Sequence, residues 1–152
     1  MKEKAIVFDI DGVILDTSFL FDEIFRLGLK GDAMWNYFYE NCNSEKVQFI
    51  KGFEELYITL HSLKVDESVK FILLTSRNEK GREGTEKKLR PICGSFDALY
   101  MRPEGDYRDS QVLKRETLQQ LQKVYDIILF IDDDLKNCEA AKELGIYSLR
   151  KV

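Results

Sequence analysis

One histidine, one tryptophan, two prolines and three cysteines are all that this 152-residue chain holds of those residue types. The single histidine, His61, lies in a helical pattern with no ligand partner beside it, so hydrolase mechanisms built on Ser-His or Cys-His pairs are set aside. Cys42, Cys93 and Cys138 are odd in number and no two stand at C-x-x-C spacing, which excludes a disulfide scaffold and a zinc site. Three reduced thiols in a cytoplasmic protein is the expectation. Two prolines and nine glycines are too few for a linker or low-complexity class. Long apolar runs are missing as well. The first run starts at Ala5 and meets Asp9 and Asp11 at once, so neither a signal peptide nor a membrane span is expected there. Positive charge is short: 23 Lys plus Arg against 27 Asp plus Glu gives −4, a poor balance for wrapping duplex nucleic acid, although a local basic groove remains compatible with it. No G-x-x-x-x-G-K-[ST] loop occurs, so this chain carries no kinase half, and nothing in it points to a protein partner.

What is present reads as one globular domain over residues 1–152, with 44% hydrophobic and 33% charged residues. Ala5–Phe8, Phe71–Leu74 and Ile127–Ile131 are short continuous apolar runs, as in strands buried on both faces; Ala98–Met101 and Ile146–Leu149 are weaker runs. Helical periodicity lies between them. Phe49, Ile50, Phe53, Leu56, Tyr57, Leu60 and Leu63 predict one helix. Val112, Leu113, Leu118 and Leu121 predict another, and Cys138, Ala141 and Leu144 predict a third that Gly145 ends. Strands alternating with helices imply an α/β fold, a parallel sheet covered on both faces in three layers. Residues 17–66 exceed what a simple crossover needs, so they form a helical insert after the first strand. The insert holds Phe19, Phe21, Phe25, Trp35, Tyr37, Phe38, Tyr39, Phe49, Phe53 and Tyr57. Either these rings build a small subcore, or they form a partial lid whose exposed rings meet a substrate.

The polar residues fall where the strong strands end. The first strand runs into Asp9-Ile10-Asp11-Gly12, the second into Thr75-Ser76-Arg77 and the third into Asp132-Asp133-Asp134. Ligands bind beyond the carboxyl ends of strands in open parallel sheets, so three separate segments bring carboxylates, a hydroxyl and a guanidinium to one edge. Asp9 and Asp11, two apart, point to the same side of an extended chain. With Asp132 and Asp133 beside them, several carboxylates share one site, and an oxygen-only ligand set calls for Mg²⁺ as the neutralising cation. Such a site suits hydrolysis of a phosphate monoester. A carboxylate attacks phosphorus once cations offset the charge, giving an aspartyl phosphate, and a second carboxyl protonates the leaving oxygen and then activates water.

Phe8-Asp9-Ile10-Asp11-Gly12, the Thr75-Ser76-Arg77 strand end, a Lys and the Asp132-Asp133 pair together resemble the haloacid dehalogenase (HAD) superfamily of phosphatases. The stretch from Leu99 through Met101-Arg102-Pro103-Glu104-Gly105-Asp106-Tyr107-Arg108, with Lys114 beyond, is similar to the 3′-phosphatase domain of phage-type polynucleotide kinases. The Arg82, Thr85, Glu86 and Lys87 stretch is similar too, and the likeness covers roughly residues 4–16 and 70–147. The resemblance implies a Rossmann-like, HAD-like fold. It makes Asp9 the nucleophile and Asp11 the general acid/base, with Thr75 on the phosphoryl oxygens and Lys114 offsetting charge. It places Ser76, Arg77, Asp106 and Arg108 on the substrate side. It assigns Mg²⁺ to Asp9, Asp132, Asp133 and the backbone carbonyl of Asp11. The substrate it implies is a nucleic-acid 3′-phosphate end, for which Lys80, Arg82, Lys87, Lys88 and Arg90 are candidate backbone contacts if they are not simply a solvated helix face. A nucleotide or sugar-phosphate phosphatase of the same superfamily, a receiver-type phosphoacceptor module and an inactive binding scaffold are the alternatives. Three positions depart from the pattern: Val13 stands where the superfamily usually has Thr, Arg108 is followed by Asp109 and then Ser110 where the subfamily commonly has Arg-x-Asp, and Asp134 stands where an Arg often follows the acidic pair.

Overall fold

In the computed structural model, residues 1–62 and 69–152 are described; Leu63 and the end of the 17–66 insert lie outside them. Five parallel strands make the central sheet: β1 (Glu3–Phe8), β4 (Val69–Asn78), β5 (Ala98–Arg102), β6 (Tyr125–Asp132) and β7 (Ser148–Arg150), in the order β5-β4-β1-β6-β7. A two-stranded antiparallel ribbon pairs β2 (Leu15–Asp16) with β3 (Gln48–Phe49). The helices among the described residues are α1 (Ser18–Arg26), α2 (Gly31–Asn41), α3 (Phe53–Ser62), α4 (Arg82–Cys93), α5 (Ser110–Gln122) and α6 (Leu135–Glu143). The α/β fold with its helical insert after the first strand is as the sequence predicts, and both weak apolar runs prove to mark strands.

The two-residue period of a strand sorts the core into two layers. Ile6 and Phe8 of β1 join Phe71 and Leu73 of β4 on one face, packed under Leu89 and Cys93 of α4 and under the insert. Ala5 and Val7 face the other way, with Ile72, Leu74 and Phe130, beneath Leu118 and Leu121 of α5 and Ala141 of α6. Both faces of the central strands are therefore dry, which is why these strands read as unbroken apolar runs.

The insert shares the first of these cores. Leu20, Ile24, Phe38, Phe53 and Tyr57 are buried in one cluster with Phe8 and Phe71. Phe8 makes edge-to-face contacts with Phe53 (6.0 Å) and Phe71 (5.8 Å). Other insert rings stay outside: Phe25 is 89% exposed, and Phe21 and Trp35 are each 45% exposed. The predicted helix over Phe49–Leu63 begins only at Phe53. Gly52 turns the chain at φ +91°, a left-handed conformation open to glycine, and releases Phe49 into β3. His61 packs its ring on Phe71 (4.4 Å) and Tyr57 (4.7 Å), with Nε2 3.3 Å from the Ser95 hydroxyl, so it lies within this aromatic packing.

Candidate functional site

The central strand β1 has β4 and β6 on either side, so the chain segments leaving their carboxyl ends converge. Asp9 follows β1 directly, Thr75 lies in the last part of β4, and Asp132 closes β6. One cation joins two of these segments. The Lys114 ammonium, on α5 and 2% exposed, lies 2.8 Å from Asp9 Oδ1 and 2.7 Å from Asp132 Oδ2. Asp132 is fixed further: Oδ1 accepts from the Asp134 amide (2.9 Å) and Oδ2 from Asn137 Nδ2 (3.2 Å). Burial alone would lower the Lys114 pKa, but the facing carboxylates of Asp9 and Asp132 outweigh it and hold the ammonium above its ordinary value.

Asp9, Asp132 and Asp133 each offer a carboxylate oxygen, and these atoms lie within 4.8 Å of one another. Burial drives the Asp9 carboxyl well above the usual carboxylate range; Lys114 pulls it down, and Asp132 and Asp11 push it up again. Asp133 is raised as well, first by burial and then by Asp132. Asp9 and Asp132 share the one ammonium and Asp133 adds a third carboxylate, so the fully ionised cluster carries a net charge of −2. A divalent cation would satisfy it, and an all-oxygen donor set suits Mg²⁺. Gly12 makes room for this arrangement. A Cβ placed there would come within 2.0 Å of Asp133 Oδ2, and Gly12 sits at φ +86°.

Asp11 stands apart from that cluster on its side-chain atoms. Arg77 holds it with two hydrogen bonds, Nε to Oδ2 (2.9 Å) and Nη2 to Oδ1 (2.7 Å). The ligand implied for Asp11 is its backbone carbonyl, a different group from this carboxylate. The paired fork geometry fixes the plane of the carboxylate as well as its position. The same guanidinium donates to Asn43 Oδ1 (2.6 Å), Thr85 Oγ1 (3.2 Å) and the Cys42 carbonyl (3.2 Å). Burial works against the charge on Arg77, yet the Asp11 carboxylate more than offsets it and raises its pKa. The expectation for Arg77 was the substrate side of the pocket. The structure encloses it at 3% exposure and turns its donors onto Asp11, the insert and α4.

The remaining sequence candidates lie along the β4–β5 rim. Thr75 is 1% exposed and its hydroxyl accepts from the Arg77 amide (3.1 Å). The Ser76 hydroxyl lies 2.6 Å from that of Ser110, which also takes Asn137 Nδ2 at 3.3 Å. Asp106 and Arg108 pair with each other (2.8 Å), and Arg108 also reaches Glu116 (2.7 Å). The Asp106 carboxyl is pulled down to about 2 by the hydrogen bonds it accepts from the Arg108 side chain and amide. Arg102 pins this loop by donating to the carbonyls of Ser76 (3.0 Å), Asp106 (3.1 Å) and Arg108 (2.6 Å). Of the five basic residues from Lys80 to Arg90, two have local partners. Arg82 is bound by Glu79, Glu86 and the Leu99 carbonyl, and Lys88 donates to the Ser44 carbonyl (3.0 Å).

Asn43, Ser110 and Asn137 have no site role in the sequence reading, and Thr85 enters it only within a stretch of family likeness. None has a spacing signal, because each reaches the site through folding; Arg77 and Asn43 are 34 positions apart. Two of the three departures from the family pattern have local explanations. Asp134 caps α6 by accepting from the Lys136 amide (2.8 Å), and Val13 is buried in the insert-side core.

Comparison with known proteins bears on this arrangement. No curated protein matches the chain by sequence. Among solved structures, a chain of the Pnkp1/Rnl/Hen1 RNA repair complex superposes with TM-score 0.73 at 22% identity, over 98% of this chain and 42% of that one. A class C acid phosphatase from Bacillus anthracis with tungstate bound gives 0.64 at 18% identity, over 97% and 67%. A haloacid dehalogenase-like hydrolase from Streptococcus pneumoniae gives 0.59 at 18% identity, over 96% and 83%. These likenesses establish a shared fold, and the chain spans less than half the length of the one it matches in the RNA repair complex. The family model for HAD superfamily, subfamily IIIB (acid phosphatase) matches residues 1–150, and the chain belongs to that family of phosphate-monoester hydrolases.

Proposed function

We propose that this chain is a Mg²⁺-dependent phosphomonoesterase that works through an aspartyl phosphate on Asp9 and acts on nucleic-acid ends bearing a 3′-phosphate. One observation supports the chemistry above all others: Lys114 bridges Asp9 and Asp132 inside a three-carboxylate cluster at the carboxyl end of the sheet. Asp9, Asp132 and Asp133, with the Asp11 carbonyl, would hold the Mg²⁺, which when bound offsets negative charge on the phosphoryl oxygens.

The chain's own residues account for the other demands of the reaction. Asp9 attacks phosphorus, and the bond to the leaving oxygen breaks. Lys114 keeps the Asp9 carboxylate ionised and oriented against the burial that favours its protonated form. Thr75 offers its hydroxyl to the phosphoryl group. Asp11, with its side chain 23% exposed, gives a proton to the leaving oxygen; it then takes one from the water that opens the aspartyl phosphate. Arg77 holds Asp11 in place for both transfers. Chemistry of this type suits the family, since phosphate monoesters are among the slowest substrates to hydrolyse unaided.

The nucleic-acid end rests on the Arg102–Arg108 motif and agrees with the fold shared with the RNA repair complex chain. The acid phosphatase family model favours a second reading in the same class, a phosphatase of nucleotides or sugar phosphates. Values of kcat/KM on 3′-phosphorylated oligonucleotides, mononucleotides and sugar phosphates, with Mg²⁺ and with EDTA, separate the two. The proposal expects the oligonucleotides to be preferred and EDTA to stop turnover. Equal values across substrates would reject the nucleic-acid reading, and full activity in EDTA would reject the metal.

A further inference from the structure

The carboxyl edge of the sheet has a second side, where β6 meets the last strand, β7. Residues alternate along a strand, so Ser148 and Arg150 share the side of β7 that faces α6. The Ser148 hydroxyl donates to the Cys138 carbonyl on that helix (3.1 Å). Two residues on, Arg150 pairs in register with Asp132, and the Lys151 amide after it donates to the Asp132 carbonyl (2.8 Å). The end of β7 is thereby fixed beside an acid of the carboxylate cluster. The Arg150 side chain then reaches the turn between β6 and α6, where Nε donates to the Asp133 carbonyl (3.1 Å). A guanidinium has five N–H donors, and this bond uses one. The four on Nη1 and Nη2 have no hydrogen-bond or ion-pair partner among the described residues, and Arg150 is exposed.

The turn that this arginine overhangs is acidic. Asp132, Asp133 and Asp134 are consecutive, and the ammonium that faces the cluster, Lys114, is 2% exposed and held between Asp9 and Asp132. An anionic group of the substrate beyond the reacting phosphate is repelled there unless an exposed cation covers the turn. Arg150 is such a cation, and the reaction derived above uses none of its donors. We propose that Arg150 binds a second phosphate of the substrate, the internucleotide diester adjoining the 3′-phosphate end. The proposal rests on the nucleic-acid reading above and names a specificity residue for it. The planar fork of a guanidinium matches the two non-bridging oxygens of a diester. Such a contact recognises the chain without reading its sequence, and it offers nothing to a phosphate ester that has no diester.

Values of kcat/KM are measured on a 3′-phosphorylated oligonucleotide, on the same oligonucleotide with an uncharged methylphosphonate at the linkage next to the 3′ end, and on a nucleoside 3′-monophosphate. In wild type, the methylphosphonate is expected to lower kcat/KM by about 3- to 10-fold, as for one partly exposed charged contact. Arg150→Gln should impose the same loss on the native oligonucleotide, chiefly through KM, and add nothing on the methylphosphonate. It should also flatten the log–log salt dependence by about 0.7. Lys142→Gln removes the same charge from the last turn of α6 and should leave all three substrates unaffected. Equal losses from Arg150→Gln on every substrate would reduce Arg150 to a support of the Asp133 turn and overturn the proposal, as would an unaltered rate on the native oligonucleotide. If wild type still prefers oligonucleotides in either event, the nucleic-acid reading survives without Arg150. If wild type has no preference for the oligonucleotide over the nucleoside 3′-monophosphate, both fall together.

Discussion

At the scale of single residues, the central tension is three acids around one lysine. A carboxyl whose folded-state pKa lies above its unfolded value binds its proton more tightly when folded. It therefore contributes stability at low pH that is lost as the pH rises through the folded value. Asp9 and Asp133 are both of this kind. Without divalent cation, the wild-type protein should lose stability as pH rises from about 4, the ordinary carboxylate value. Asp9→Asn should lose less, so thermal melts in EDTA across pH should show its Tm drawing ahead of wild type while its phosphatase activity is gone. A constant Tm difference across pH would count against this electrostatic account. Lys114 has the reverse role. Lys114→Met strands the buried Asp9 and Asp132 carboxylates, and a loss of about 3–5 kcal/mol is expected from urea denaturation in EDTA, the cost of breaking a buried ion pair from one side. Little of this was legible in the sequence. Asp9, Asp132 and Asp133 stood out because they end apolar runs, but a lone lysine on a helix is ordinarily solvated. Lys114 was marked only by resemblance, and its bridge emerges only when α5 packs on β4 and β6.

At the scale of elements, the turn after β1 and the turn after α2 decide how the site is held. Gly12 lets the first pass against the Asp133 carboxylate. Gly12→Ala should displace that carboxylate and weaken Mg²⁺ binding by about 10- to 100-fold, the usual cost of disturbing a ligand's support. Isothermal titration measures this directly, and unchanged affinity would remove Asp133 from the cation site. The second turn presents Asn43 and the Cys42 carbonyl to Arg77, which ties the insert to Asp11. Asn43→Ala should lower kcat more for esters with poor leaving groups than for aryl phosphates, because a loosened Asp11 matters most where the leaving oxygen needs a proton. Uniform loss across leaving groups would argue that Asn43 is merely structural. Strand identity was readable because both faces of β1, β4 and β6 are dry and their sequences are continuously apolar. The start of α3 was not, because the apolar period runs unbroken through Gly52 and only that residue's backbone angle shows where the helix begins.

At the scale of the whole molecule, the insert and the sheet share one core, so the fold should open as a unit. The cysteines offer a direct reading of that. Cys42, Cys93 and Cys138 are 3%, 0% and 2% exposed, and burial raises each thiol's pKa, that of Cys93 to about 12. A thiol reagent at neutral pH should label none of them in the native protein and all three across one unfolding transition; early labelling of Cys42 alone would show the insert opening separately. Chain order also carried information. Acidic groups after the first and third strong strands, with a threonine at the second, were enough to place a site at one sheet edge. The Arg77–Asp11 pairing was hidden, since 66 positions separate the partners and nothing in either local sequence announces the other.

The account stands or falls on Asp9 as the group that takes the phosphoryl group. Brief incubation of the enzyme with Mg²⁺ and a ³²P-labelled 3′-phosphorylated oligonucleotide, followed by acid quench and peptide mapping, tests it most directly. The account predicts a hydroxylamine-sensitive label on the peptide that contains Asp9, absent from Asp9→Asn. Turnover that continues in Asp9→Asn, or label found on another residue, would contradict it.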